Sequence, residues 1–499
     1  MKKKGRLVDL KKLIVILFII FGAFLTFSLY RTFAYDTSVV EEVPSTTDLE
    51  YTFKIGNSSI KQITVDSGET RYYDIVLGNP NNAKISYSVY YEMVSPSSKP
   101  DDYKIEYTSK STGNSTGIVN NNGNITLNIV VTNTSSNAVT VKVGTVAGYV
   151  KGGELALNSG QVVIPKRVFP KATYVVEHLD DGTTGDSGSG VYKITHSAIP
   201  AESSATGSEI PAVNDYRYYG ASPNNYVCLD MEGQSICPDK NLFRMIGSIY
   251  EENASQNLIK VIKATALTAG TNGNFSWDYK VNNRFISYNN IWSTTTSGTS
   301  SGAILMQILN DIYLTKGTRD YYFPVSEADD YQIFSVSFAD TGLSAVAQNL
   351  INSGIDNKLS RYYLGGFSSS NLKINTIYSA ERGRTTSNGN ALYWDGKVGL
   401  MYPSDYGYAA GNDCVTNTDA YSYDKCSDKN WIDLKNIYEL FMTSVATSEK
   451  LVFNSDRFGK ICEVSSSTPR YARPVFYLSS DVSITSGTGT SSDPYIISK

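Results

Sequence analysis

The chain has 499 residues, a net charge of −4 and two histidines, His178 and His196. Residues 1–34 carry seven basic groups and one acid, so the remainder holds a net charge of −10. That acidic bulk excludes a nucleic-acid binder, which needs clustered Lys and Arg, and no imidazole follows residue 196 to serve a nucleophilic triad, a zinc site or a proton shuttle.

Lys2, Lys3, Lys4, Arg6, Lys11 and Lys12 precede an uncharged apolar run of 18 residues, 13–30. About 18 such residues are the minimum for a helix across a bilayer. The basic flank stays inside, so the bulk of the chain is expected to be exported. Residues 1–34 therefore read as a signal anchor, which would tether the chain to the membrane, or as a signal peptide cleaved after Ala34. The expected location is the outer face of the cell membrane (single-pass, N-terminus inside) or the medium.

Residues 35–48, rich in Ser, Thr, Val and Glu, read as a stalk. From 49 to 172 the pattern is one of short alternating strands separated by turns: 60–65, 71–77, 84–92, 102–108, 124–132 and 138–150. Strands spaced in this way predict a β-sandwich. Residues 173–190 end in the Gly/Asp/Ser-rich run LDDGTTGDSGSG and read as a linker. The rest, 191–499, opens with a strand at 191–196 and alternates strands with two helices, an α+β layout. The helices are 301–313, where Ile304, Ile308 and Ile312 recur every four residues, and 342–353, with Gly354 suited to close it. Strands are expected at 226–230, 242–247, 258–263, 397–401, 450–454, 460–463 and 473–478.

All five cysteines lie beyond residue 220. Their close spacing suggests Cys228–Cys237 and Cys414–Cys426 disulfides, with Cys462 unpaired, as an exported chain permits. No C-x-x-C spacing or neighbouring His suggests a metal, and no cofactor motif occurs. Arg473, before Pro474, is expected to pair a carboxylate such as Asp405. Aromatics beside Asp, Asn and Ser can stack on sugar rings or anchor a protein partner. The turn-rich run Tyr402-Pro-Ser-Asp405-Tyr406-Gly-Tyr408, with Trp394 and Trp431, is the candidate ligand-binding patch, read as too turn-rich to be buried.

Six blocks occur in order: DYRYYGASPNNYVCLDMEGQSICPDKNLFRMIG (215–247), TIYSAERG (376–383), KVGLMYPSDYGYAA (397–410), NW (430–431), YARPVFYL (471–478) and ITSGTGTSSDPYII (484–497). Together they resemble a bacterial cell-surface domain of unknown molecular function, abundant in gut Bacillota. More distantly, the closing hairpin and RPVFYL are similar to the end of C-type-lectin-like folds. The run ITVDSGETRYYDIVLGNP resembles immunoglobulin-like, biofilm-fibre-type ectodomains of Gram-positive bacteria. The expected function is non-catalytic recognition or adhesion at a cell surface, with a glycan or protein as ligand. A fibre or envelope subunit and, third, a carboxylate-dependent glycan hydrolase are the alternatives.

Overall fold

The computed structural model describes residues 35–36, 48–52, 60–97, 103–108, 112–149, 155–179, 183–268, 274–278, 280–281, 284–285, 303–324, 331–353, 359–368, 372–385, 391–448 and 450–499. The apolar run 13–30 lies outside them. Among the described residues no helix is long and apolar enough to cross a membrane. The described residues are β-rich, at 42% strand and 15% helix, so sheets set the frame. It divides into two compact units, Met1–Val168 and Phe169–Lys499.

The first unit holds β1 (Tyr35–Asp36), β2 (Asp48–Thr52), β3 (Ile60–Val65), β4 (Thr70–Gly78), β5 (Ile85–Ser95), β6 (Tyr103–Tyr107), β7 (Thr116–Val119), β8 (Asn124–Asn133), β9 (Val139–Tyr149) and β10 (Gln161–Val163). One sheet runs β1-β9-β5-β10, with β3 also on β9 and β7 on β5; the other runs β2-β4-β8-β6. Alternation does the work: Tyr103, Ile105 and Tyr107 of β6 are buried, and Val139, Val141 and Val143 of β9 join them in one core fed by both sheets. Such a shared core is that of a β-sandwich. Tyr35 and Asp36, expected in a stalk, pair instead with Gly148 and Ala147 of β9.

The second unit opens with helix α1 (Ala172–Glu177). Residues 173–177 were expected in a linker. Val176 and the preceding Ala172 are instead fully buried, because the AxxxV spacing sets one apolar stripe on the sheet beneath. That sheet is built from β11 (Gly190–His196), β12 (Val213–Tyr219), β13 (Tyr226–Cys228), β14 (Leu242–Glu251) and β15 (Gln256–Lys263). Smaller pieces follow: ribbons β16 (Lys280–Val281) with β17 (Arg284–Phe285), β18 (Thr318–Pro324) with β19 (Tyr331–Ser337), and β20 (Ser360–Tyr363) with β21 (Tyr393–Gly396), then a three-stranded sheet of β22 (Glu439–Ser444), β23 (Leu451–Ser455) and β24 (Ile461–Ser465). β25 (Val475–Tyr477), β26 (Ser483–Ser486) and β27 (Tyr495–Ser498) return to the main sheet, whose order is β11-β12-β14-β13-β27-β26, with β15 bridging β14 to β25.

Among the described residues, five further α-helices pack around it: α2 (Ile304–Gln307), which continues as a π-helical turn over Ile308–Tyr313, α3 (Ala345–Leu350), α4 (Ile374–Glu381), α5 (Pro403–Tyr408) and α6 (Asn412–Asn417). Ser344 caps α3, its Oγ accepting the Ala347 N–H at 3.1 Å; Gly354, expected to close that helix, lies outside the described residues. Residues 397–401 do not form the expected strand. A Cβ on Gly399 would meet the Tyr362 ring at 2.7 Å, and the segment keeps one isolated bridge, Gly399 with Val475. Both expected disulfides are present, Cys228–Cys237 stapling the β13–β14 loop and Cys414–Cys426 tying α6 to the next turn. Cys462 is unpaired. Burial pushes its thiol up to about 11, which leaves it a poor nucleophile.

Candidate functional site

The run 402–408 folds as a helix start. Pro403 occupies the first helical position, where its missing N–H costs nothing. Asp405 sits three residues after Tyr402 and accepts the Tyr402 N–H at 3.0 Å, as a residue in the first turn does in a capping box. Gly407 lets α5 approach α4, since a Cβ there would meet Ile374 Cδ1 at 2.3 Å. The result is burial, not an exposed patch. Tyr402, Asp405, Tyr406 and Tyr408 are at most 2% exposed, Trp431 is 4% exposed and Trp394 9%. Two of them spend their polar atoms internally: the Tyr406 hydroxyl donates to the Gly459 carbonyl at 3.1 Å and the Trp431 indole to the Tyr218 carbonyl at 2.9 Å.

Asp405 is the hub of a buried charge network. It accepts from Arg217 Nη1 at 2.8 Å and from Lys260 Nζ at 2.6 Å. Arg217 reaches on to Asp215, with Nη2 2.8 Å from Oδ2, and Asp215 Oδ2 lies 3.0 Å from His196 Nε2. Burial opposes charge on both aspartates, but their hydrogen-bonding and cationic partners overcome it. Lys260 and Arg217 hold Asp405 below the usual carboxylate range, and Arg217 and His196 hold Asp215 well below it. Burial lowers His196 against the pull of Asp215. Arg473 does not pair with Asp405. Its Nε and Nη2 each lie 2.7 Å from Glu439, and Glu439 accepts both.

In front of this network lies a cleft of about 580 Å³ between β11 and helices α4 and α6, a size suited to a ligand of a few residues or sugars. Its floor is aromatic. The His196 ring stacks on Tyr378 with centroids 3.6 Å apart and planes 6° apart, and Tyr408 meets both edge-on at 5.7 and 6.2 Å. Cations brace the rings from behind, Arg382 at 3.5 Å from the Tyr378 centroid and Arg217 at 4.9 Å from that of Tyr408, an attraction that desolvation strengthens. The rim carries exposed amides and hydroxyls: Thr195, Ser197, Asn375, Ser379, Asn412 and Thr416.

Of the six residues expected to bind ligand, only Tyr408 lines this cleft. Asp405 stands behind it through Arg217. His196, Tyr378, Asn375 and Asn412 were not foreseen, although the strand at 191–196 and the block TIYSAERG contain the first two. Among the described residues no carboxylate lines the cleft, and no cluster of three His, Cys, Asp or Glu could hold a metal ion. No family model, no curated protein and no solved structure matches the chain.

Proposed function

We propose that the protein is an exported, surface-associated recognition protein, and that the cleft between β11, α4 and α6 is its ligand site. The cleft carries the reading. Its aromatic floor is locked by buried ion pairs before any ligand arrives, while its rim offers amide and hydroxyl donors and acceptors beside the Lys193 ammonium. A preorganised floor lowers the entropic cost of binding. The ligand class is a glycan or a polypeptide, both rich in groups that amides and hydroxyls can match. Two disulfides support an oxidising compartment, and the basic, apolar start of the chain supplies the membrane tether or the signal peptide. The two-sheet core supports an immunoglobulin-like reading of the first unit. The closing hairpin β26–β27, joined to the central sheet, supports a C-type-lectin-like reading of the second.

Two readouts test this. The full chain in mild detergent, applied to glycan and linear-peptide arrays, is expected to retain ligands, and Asn375→Ala with Asn412→Ala to weaken retention by about tenfold, as loss of two hydrogen bonds implies. Silence on both arrays refutes recognition. Protease applied to intact cells is expected to digest the chain; digestion only after lysis refutes export.

A further inference from the structure

The long wall of the cleft is a sheet edge. Residues 192–197 line it without a gap, yet side chains alternate between the two faces of a strand, so only an edge presents every residue. β11 ends its sheet. It pairs with β12 on one side, and among the described residues its other side holds nothing beyond the isolated bridge of Thr183 with Gly190.

That bridge fixes the phase of the edge. The Thr184 N–H donates to the Ser189 carbonyl at 3.2 Å, so the backbone groups of Ser189 point away from β12. Backbone groups alternate sides along an antiparallel strand, which puts those of Lys193 and Thr195 on the same open side. Tyr192, Ile194 and His196 then bond to their register partners Arg217, Asp215 and Val213. Bare edges of this kind are normally covered or paired.

We propose that an extended peptide adds to β11 as a further strand, held by the N–H and C=O of Lys193 and Thr195. This rests on the recognition reading and names its ligand class, since the regularly spaced N–H and C=O groups of a sheet edge match those of an extended peptide backbone. Charge narrows the sequence. Lys193 is exposed, and among the described residues no carboxylate lines the cleft, so an Asp or Glu opposite Lys193 completes an opposite-charge cross-strand pair. The neighbouring peptide residue turns to the other face, towards Tyr408 and Val415, both buried, and an apolar side chain fits there.

The test uses the full chain and a library of immobilised linear twelve-residue peptides beside a glycan array. Peptides alternating acidic and apolar residues are expected to bind. Thr195→Pro removes an outward N–H while sparing the bonds to β12, and proline is tolerated on an open edge; it is expected to weaken binding about tenfold or more. Amide exchange on the unaltered chain provides a check independent of folding, with the Lys193 and Thr195 amides slowed by bound peptide. Peptide binding unaffected by Thr195→Pro, or without protection of these amides, overturns strand addition. Glycan binding without peptide binding overturns the peptide assignment and leaves recognition standing; binding to neither array overturns recognition itself. A dimer that Thr195→Pro abolishes makes the occupant a second copy of this chain and also overturns the proposal.

Discussion

Asp405→Ala is expected to destabilise the second unit by about 3–5 kcal/mol, the range for removing one partner of a buried ion pair. Asp405 is 1% exposed and answers two cations, Arg217 and Lys260, each 1% exposed in its side chain. The two cations respond differently. Lys260, whose ammonium burial already lowers, can shed its proton and rest against Tyr402, whose ring centroid is 4.5 Å away. Arg217 cannot deprotonate and keeps only Asp215. The cost therefore concentrates at Arg217, directly behind the Tyr408 ring. Urea denaturation followed by near-ultraviolet circular dichroism measures it. Adding Lys260→Met to Asp405→Ala is expected to recover part of the loss, since an apolar side chain of similar length removes the cost of burying or deprotonating the Lys260 amine. For contrast, Arg361→Ala breaks a pair with the exposed Asp395 and is expected to cost under about 1 kcal/mol. Equal effects at the two sites would remove the case for a charged keystone.

Much of the frame was legible because strands and helices announce themselves by local period. The runs at 60–65, 71–77, 124–132, 191–196 and 258–263 fall on strands, and Ile304, Ile308 and Ile312 fall on a helical turn. The close cysteine spacings sufficed for two disulfides, since each closes a short local loop. The site was not legible, because its determinants are distant in sequence. Asp405 lies 145 residues from Lys260 and 188 from Arg217, so nothing near Tyr402 or Tyr408 signals the cations that make a polar helix start suitable for burial. Pro403 and Asp405 read locally as turn formers, and they equally begin a helix. His196 stood at the end of a foreseen strand. Its value depends on Tyr378 and Asp215, which reach it from α4 and β12. The pairing of Arg473 with Glu439 rather than Asp405 has the same origin, the segment before β25 meeting the start of β22 across 34 residues.

Glu381 is expected to make the second unit lose stability as pH rises from about 4.5 to about 7. Burial pushes its carboxyl up to about 7, against the pull of Arg382 and the two hydrogen bonds from Ser404. In the unfolded chain it titrates near 4.5. Between these values the folded state keeps a proton that the unfolded state has released, so the slope of stability with pH is negative there. A shift of this size corresponds to roughly 3 kcal/mol. Neighbouring groups act oppositely and in other windows. Asp215 and Asp405, both depressed, lose their contribution only as pH falls below the ordinary carboxylate range. His196, lowered by burial, costs stability as pH falls below 6.5. Glu381→Gln separates the terms: its amide oxygen can accept the Ser404 N–H and its amide nitrogen can donate to the Ser404 hydroxyl, but it cannot ionise. Urea midpoints of both proteins at pH 5, 6, 7 and 8 are the measurement. The variant is expected to gain on the parent by roughly 3 kcal/mol across that range, whereas a constant difference would place the Glu381 carboxylate in the ionised state throughout. Since Glu381 follows Tyr378 by one turn of α4 and holds the start of α5 through Ser404, its protonation bears on the helix that carries the floor of the cleft. Ligand retention by the parent is therefore expected to tighten on mild acidification until His196 begins to charge.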